Sequence, residues 1–152
     1  MPVFISHKLE DKELALRMSQ YLKSQGVSTY VDVLDPTLKT TDDITRTIIE
    51  RLKQCTHLMA LVSNFTERSW WVPFEIGVAT ETERRISTYQ TSTVTKLPEF
   101  LEKWPVLRKQ SDLDVYIRVY KRDSIIPLTE GKVASASIRS ADQFHRELKA
   151  SL

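Results

Sequence analysis

Between Val3 and Val94, short runs rich in β-branched and aromatic residues alternate with stretches whose apolar residues recur at helical spacing, and this alternation constrains the fold more than any other feature. Val3-Phe4-Ile5 reads as a buried strand ending in the polar loop Ser6-His7-Lys8. From about Asp11, Leu14, Met18, Tyr21 and Leu22 mark a first helix, and Gly26 sits where a C-cap needs a left-handed residue. Val27 to Val33 reads as a second strand, broken by Leu34-Asp35-Pro36-Thr37-Leu38. Ile44, Ile48 and Leu52 restore the helical period, with Thr41 or Asp42 as the cap. His57 to Val62 is an unbroken apolar strand ending at Ser63-Asn64, a third helix is expected from about Trp70 to Arg85, and Ile86 to Val94 holds a fourth strand. Such alternation requires right-handed crossovers, so the expected fold is α/β, a three-layer sandwich with a mainly parallel sheet between helices. Ligands in such sheets bind at the carboxyl ends of the strands, here Ser6-His7, Asp32-Val33 and Ser63-Asn64.

The remainder of the chain is less regular. Pro98 can open a short helix with Leu97, Phe100, Leu101 and Trp104 on one face, its aromatic pair in the core, and Pro105 stops it. Leu113, Val115, Ile117 and Val119 alternate with polar and aromatic residues as a strand would, while a helix after Ser111 or Asp112 fits equally. Ser140 with Gln143 forms a capping-box signature for a last helix over about 140–150, whose apolar face is Phe144 and Leu148. Lys121 to Arg139 carries no clear pattern. One domain over residues 1–152 is expected, with its core in 1–120.

Bulk properties exclude several function classes. The 22 basic and 20 acidic residues are spread along the chain without a basic block, so neither nucleic acid nor an anionic membrane surface is an expected partner. Cys55 is the single cysteine and no disulfide can form within the chain. The longest apolar run, Leu58 to Val62, is too short to span a bilayer, and the start of the chain lacks the regions of a signal peptide; a soluble cytoplasmic protein is expected.

Chemistry concentrates in Ser69-Trp70-Trp71-Val72-Pro73-Phe74-Glu75. If a helix has begun by Trp71, its indole and the Glu75 carboxylate lie one turn apart on one face. An aromatic wall beside a carboxylate suits a sugar-linked base: the ring stacks on a heterocycle while the carboxylate binds ribose hydroxyls or stabilises positive charge at the anomeric carbon. Pro73 is tolerated in the first turn, so either Ser69 caps the helix or the helix starts near Pro73 and leaves Trp71 outside it.

Other sites are harder to write. Three glycines, Gly26, Gly77 and Gly131, permit neither a dinucleotide fingerprint nor a P-loop. A phosphoacceptor receiver domain would need an aspartate after the third strand, where Ser63-Asn64 stands. Adjacent Ser6 and His7 point to opposite faces of a strand and cannot pair as nucleophile and base. His57 and Cys55 lack a third partner, His145 is expected on the surface, and no metal site is expected from three scattered histidines and one cysteine.

Taken in order, Phe4-Ile5-Ser6-His7 with Glu10-Asp11, Tyr30-Val31-Asp32 followed by a loop to Thr41, and Leu61-Val62-Ser63 followed by Ser69-Trp70-Trp71 and Glu75 resemble the motifs of the Toll/interleukin-1 receptor (TIR) domain family. The resemblance implies a five-strand parallel sheet of flavodoxin-like type and, in the enzymatic branch, cleavage of the nicotinamide-ribose bond of NAD, with NAD as substrate and no cofactor. Glu75 matches the catalytic glutamate, and Phe4, Ser6, Asp32 and Trp71 match positions that line the nucleotide cleft. One acid suffices for this bond, because nicotinamide carries positive charge before cleavage and departs neutral, unlike the alkoxide of an ordinary glycoside. Water as acceptor gives ADP-ribose; a hydroxyl or adenine nitrogen of the same molecule gives a cyclic isomer. The resemblance further implies self-association through TIR-TIR contacts and an antiphage signalling setting of the Thoeris kind, where a separate effector answers the nucleotide product. The competing implication is a non-catalytic scaffold that recruits other TIR domains through the Val33 to Thr41 loop.

Overall fold

The computed structural model describes residues 2–31, 41–66, 71–124 and 140–152, the side chains of residues 41–43, 71 and 124 excepted. Its five strands are β1 (Val3–Ser6), β2 (Thr29–Val31), β3 (His57–Val62), β4 (Arg85–Gln90) and β5 (Val106–Leu107). They form one sheet in the order β2-β1-β3-β4-β5, and every neighbouring pair is parallel. The helices are α1 (Lys12–Ser24), α2 (Thr41–Gln54), α3 (Trp71–Glu81), α4 (Glu99–Glu102), α5 (Gln110–Ser124) and α6 (Ala141–Ser151), with a 3-10 turn at Leu9–Asp11.

Strand alternation divides the core into two layers. Val3, Ile5, Met59 and Leu61 point to the side covered by α1, α5 and α6. Phe4, Leu58, Ala60, Val62 and Ile86 point to the other side, covered by α2, α3 and α4. Both faces of the sheet are thus buried, which is why its central strands read as continuous apolar runs. Helix α1 ends as its sequence directs, with Gly26 at φ 79°. The Ser140 hydroxyl accepts from the Gln143 N–H while the Gln143 side chain accepts from the Ser140 N–H, completing the expected capping box of α6.

Several expectations change. Helix α2 already contains Thr41 and Asp42, so neither precedes it as a cap, and position 40 lies outside the described residues. Helix α3 ends at Glu81 instead of near Arg85: Glu83 turns into the left-handed region at φ 52°, and Arg85 already begins β4. Residues 113–120, open between strand and helix, are helical. Tyr116 and Tyr120 are buried together with Leu113 and Ile117, a spacing of three and four that a strand would have split between two faces. Of the aromatic pair around α4, Trp104 is buried but Phe100 is 51% exposed. The two-residue β5 carries too little pattern to be seen in sequence. The unplaced segment resolves as far as Ser124, the end of α5, and residues 125–139 lie outside the described residues.

Candidate active site

In this strand order the chain runs outward from β1 to β2 and then crosses back to β3, so the topological switch falls between β1 and β3. Open α/β sheets leave a crevice there, at the carboxyl ends of the two strands. Ser6 is the last residue of β1 and pairs in register with Ala60 of β3, which in turn pairs with Thr88 of β4. Ser6 Oγ and Thr88 Oγ1 are fully buried and have no hydrogen-bond partner among the described residues. Leaving a buried hydroxyl unpaired costs about 1–3 kcal/mol, and such atoms call for an explanation. Small Ala60 stands between them, so the α2/α3 side of the sheet carries a polar row at its carboxyl half.

Above that side lies α3. Its first residue is Trp71, which places Glu75 one helical turn further on and puts Pro73 in the first turn, where its missing N–H loses nothing. Val72, Ile76 and Ala79 form the buried stripe of α3. Glu75, spaced three from Val72 and four from Ala79, lies along the same stripe and is 2% exposed. Around the helix its neighbours are Phe74 and Val78, both packed against the core cluster to which α2 contributes Ile48 and Leu52. Pro73, Gly77 and Thr80 lie on the opposite flank, which faces α4. Glu75 therefore lies on the flank of α3 away from α4, which is the flank nearer α2. A carboxyl almost removed from water is rare unless its surroundings compensate it.

Three of the five expected site residues can be placed in this way: Phe4, Ser6 and Glu75. Phe4 is fully buried one strand period before Ser6 on the same face, with its ring 5.5 Å from that of Tyr30. The Arg51 guanidinium lies over the Tyr30 ring, 4.5 Å from its centroid. Trp71 is placed by its backbone, and Asp32 lies outside the described residues.

A cavity among the described residues lies elsewhere. A space of about 450 Å³ opens on the other flank of α3, lined by Val62, Thr66, Val72, Pro73 and Ile76 and by residues of the 94–101 segment. Neither Glu75, Phe4 nor Ser6 borders it. The burial, sheet register and helix stripe point to the β1 side, and we place the candidate chemistry there; residues 32–40 and 67–70 lie outside the described residues.

Sequence reasoning misses a second buried polar group, at the amino end of the sheet. His57, the first residue of β3, is fully buried, with Nδ1 2.8 Å from Thr56 Oγ1 and Nε2 3.8 Å from Asp123 Oδ2. Asp123 is ion-paired with Arg85. Burial, reinforced by the Arg85 charge, holds His57 well below its ordinary pKa, so the charged pair is Arg85 with Asp123 and His57 stays neutral. His145 is buried as well, correcting its expected surface position. Its Nε2 accepts the Ile86 N–H at 2.8 Å, on the side of β4 where β5 does not reach. Asp123 and Arg85 are far apart in sequence and ordinary in context, so no local signal announces the group. Cys55 is buried and its thiol is pushed up by that burial, in keeping with the absence of an activating context in sequence.

An all-parallel 2-1-3-4-5 sheet with helices on both faces defines the flavodoxin-like class of α/β proteins. Within that class, a family model described as the TIR domain matches residues 3–89, more than half of the 152-residue chain, and the chain belongs to the TIR domain family. Over 79 residues it is 30% identical to a probable 3' cyclic ADP-D-ribose synthase, ThsB', of Bacillus cereus (strain MSX-D12). That match takes in 49% of this chain and 41% of the relative, so less than half of the relative's length is spanned. Among solved structures, the TIR domain of the Toll-related receptor TRR-2 from Hydra magnipapillata superposes with a TM-score of 0.59 at 19% identity, covering 80% of this chain and 93% of that one. At that identity the likeness is one of fold. No helix among the described residues is long and apolar enough to cross a membrane, and no described group of His, Cys, Asp and Glu is arranged to hold a metal ion.

Proposed function

We propose that this chain cleaves the nicotinamide-ribose bond of NAD, with Glu75 as the essential carboxylate. The reading is carried by one observation: in a TIR domain, a glutamate 2% exposed lies along the buried stripe of α3, on the flank away from α4. The relative's printed name, a cyclic ADP-D-ribose synthase, supports the same reaction class. As the C–N bond breaks, its electron pair leaves with the pyridinium nitrogen and nicotinamide departs neutral, so no proton need be delivered. Positive charge passes to the ribose, where the Glu75 carboxylate stabilises it in a site of low effective dielectric. The Ser6 hydroxyl, without a partner among the described residues, is a donor for the bound nucleotide, and Phe4 with Tyr30 stiffens the wall beneath it. Trp71 and Asp32 complete the cleft in this proposal.

Addition of water to the anomeric carbon, with loss of one proton, gives ADP-ribose. Attack by a hydroxyl or adenine nitrogen of the same molecule gives a cyclic isomer, favoured when the nucleotide is held folded. The cytoplasmic setting, self-association to complete the site and an effector that responds to the product in antiphage defence belong to the same proposal. Incubation of concentrated wild type and Glu75→Gln with NAD, followed by chromatography and mass spectrometry, tests it. Nicotinamide from wild type alone supports the enzyme, and a product lighter than ADP-ribose by one water makes it a cyclase. No release by folded wild type refutes the reading in favour of a scaffold acting through TIR-TIR association.

A further inference from the structure

The two halves of the candidate site hang from different loops. Ser6 ends β1, whereas Glu75 is reached through the connection that follows β3. Among the described residues, a buried hydrogen bond ties those loops together: Ser63 Oγ donates to Asp11 Oδ2 at 2.5 Å, across 52 positions of sequence. Asp11 is 7% exposed and closes the 3-10 turn after β1, at the threshold of α1; Ser63 is 3% exposed and is the first residue beyond β3.

Ser63 is also the hub of its own turn. Its hydroxyl oxygen accepts the Phe65 N–H at 3.1 Å, its N–H donates to Thr66 Oγ1 at 2.9 Å, and its carbonyl accepts the Thr66 N–H at 3.0 Å. The Thr66 hydroxyl closes the turn on the Leu61 carbonyl at 3.3 Å. These bonds make the turn a stiff unit, but all of them are local and none fixes where the unit sits relative to β1. The bond to Asp11 ties the turn to the loop after β1, as the 3.4 Å bond from the Asn64 N–H to Thr93 Oγ1 ties it to the loop after β4. A charged acceptor in a buried bond is among the stronger and more directional ties available to a loop.

We propose that Asp11 is a positioning residue for Glu75: through Ser63 its carboxylate fixes where the β3–α3 connection leaves the sheet, and so sets the Glu75 carboxylate against the end of β1. This role rests on the proposal that Glu75 acts on NAD. In this proposal Asp11 acts through Ser63 and makes no contact of its own with the nucleotide.

The test compares steady-state NAD cleavage by wild type, Asp11→Asn, Asp11→Ala, Ser63→Ala and the Asp11→Ala/Ser63→Ala double variant, each at a temperature where circular dichroism shows it folded. The amide oxygen of Asp11→Asn still accepts from Ser63, so kcat is expected within about threefold of wild type. Asp11→Ala and Ser63→Ala lose the tie, and kcat is expected to fall about 100-fold, the scale set by a misplacement of about 1 Å, with KM changing far less. Because both remove one bond, the double variant should be no slower than the slower single variant. A merely structural bond would lower the melting temperature and leave kcat per folded molecule unchanged, and that result overturns the proposal. Should Asp11→Ala not fold, Ser63→Ala carries the same test with the loss of one hydroxyl. The underlying reading fails separately: folded wild type that releases no nicotinamide, or Glu75→Gln that matches wild type, overturns the role of Glu75 and this one with it. An active wild type whose kcat survives both single alanine variants overturns the positioning role alone.

Discussion

Replacing His145 with phenylalanine should destabilise the protein at neutral pH and flatten its response to acid. The His145 ring lies 4.9 Å from that of Trp104 and 5.9 Å from that of Phe144, contacts that a phenylalanine of similar shape retains. What is lost is the acceptor for the buried Ile86 N–H, and an orphaned backbone donor costs about 1–3 kcal/mol. The same bond determines the acid response. Burial first, then the Lys149, Arg85 and Lys103 charges, against the opposing pull of Asp142, lower the His145 pKa from 6.5 to about 4. A depressed histidine pKa means that the fold prefers the neutral ring, so the associated stability is complete above about pH 6.5 and is lost as pH falls toward 4. At about 1.4 kcal/mol per pH unit, the shift amounts to at most about 3 kcal/mol. Urea denaturation followed by far-UV circular dichroism should show the variant less stable than wild type by about 1–3 kcal/mol near pH 7.5, with the two converging by about pH 4.5. Buried His57 titrates in both proteins and largely cancels, because the His145 charge is the smallest of the causes that lower its pKa. Equal stability at neutral pH, or parallel curves across the acid range, would refute the placement of α6 against β4.

Further outcomes follow from single residues. Ser140→Ala removes the α6 cap and should cost about 1 kcal/mol, read as a lower urea midpoint with an unchanged slope. Gly26→Ala meets no atom within 4 Å of the new Cβ, so its cost of about 1 kcal/mol arises from the left-handed backbone alone; no loss would contradict the φ of 79°. Cys55 should react with iodoacetamide at neutral pH at least about tenfold slower than a free peptide thiol, because burial keeps it protonated and out of reach; rapid labelling of folded protein would contradict its position.

Much of the fold is legible from short-range pattern because both faces of the sheet are covered. Val3 to Ile5 and His57 to Val62 are uninterrupted apolar runs for that reason, and the latter coincides with β3 at both ends. Elements whose identity depends on distant partners are harder to read. Val106–Leu107 becomes a strand because Thr88 and Tyr89 lie beside it, and two residues hold no period of their own. Residues 113–120 satisfy both periods locally; the core formed by α1, α6 and the sheet selects the helix that buries Tyr116. At the candidate site, the order of Ser6, Trp71 and Glu75 is visible in sequence, while the row Ser6, Ala60 and Thr88 requires the register of three strands. Asp11–Ser63 and Arg85–Asp123 are long-range pairs between unremarkable residues, and no local spacing can announce them.

The central claim is that the buried Glu75 carboxylate cleaves NAD in a site that self-association completes, and its most direct test is the rate of nicotinamide release measured over a series of protein concentrations for wild type and Glu75→Gln. The account predicts a wild-type rate that rises more steeply than in proportion to protein, and a Glu75→Gln rate lower by at least about 100-fold throughout. Equal rates for two folded proteins would contradict the assignment of Glu75, and a strictly proportional wild-type rate would contradict the need for a second copy.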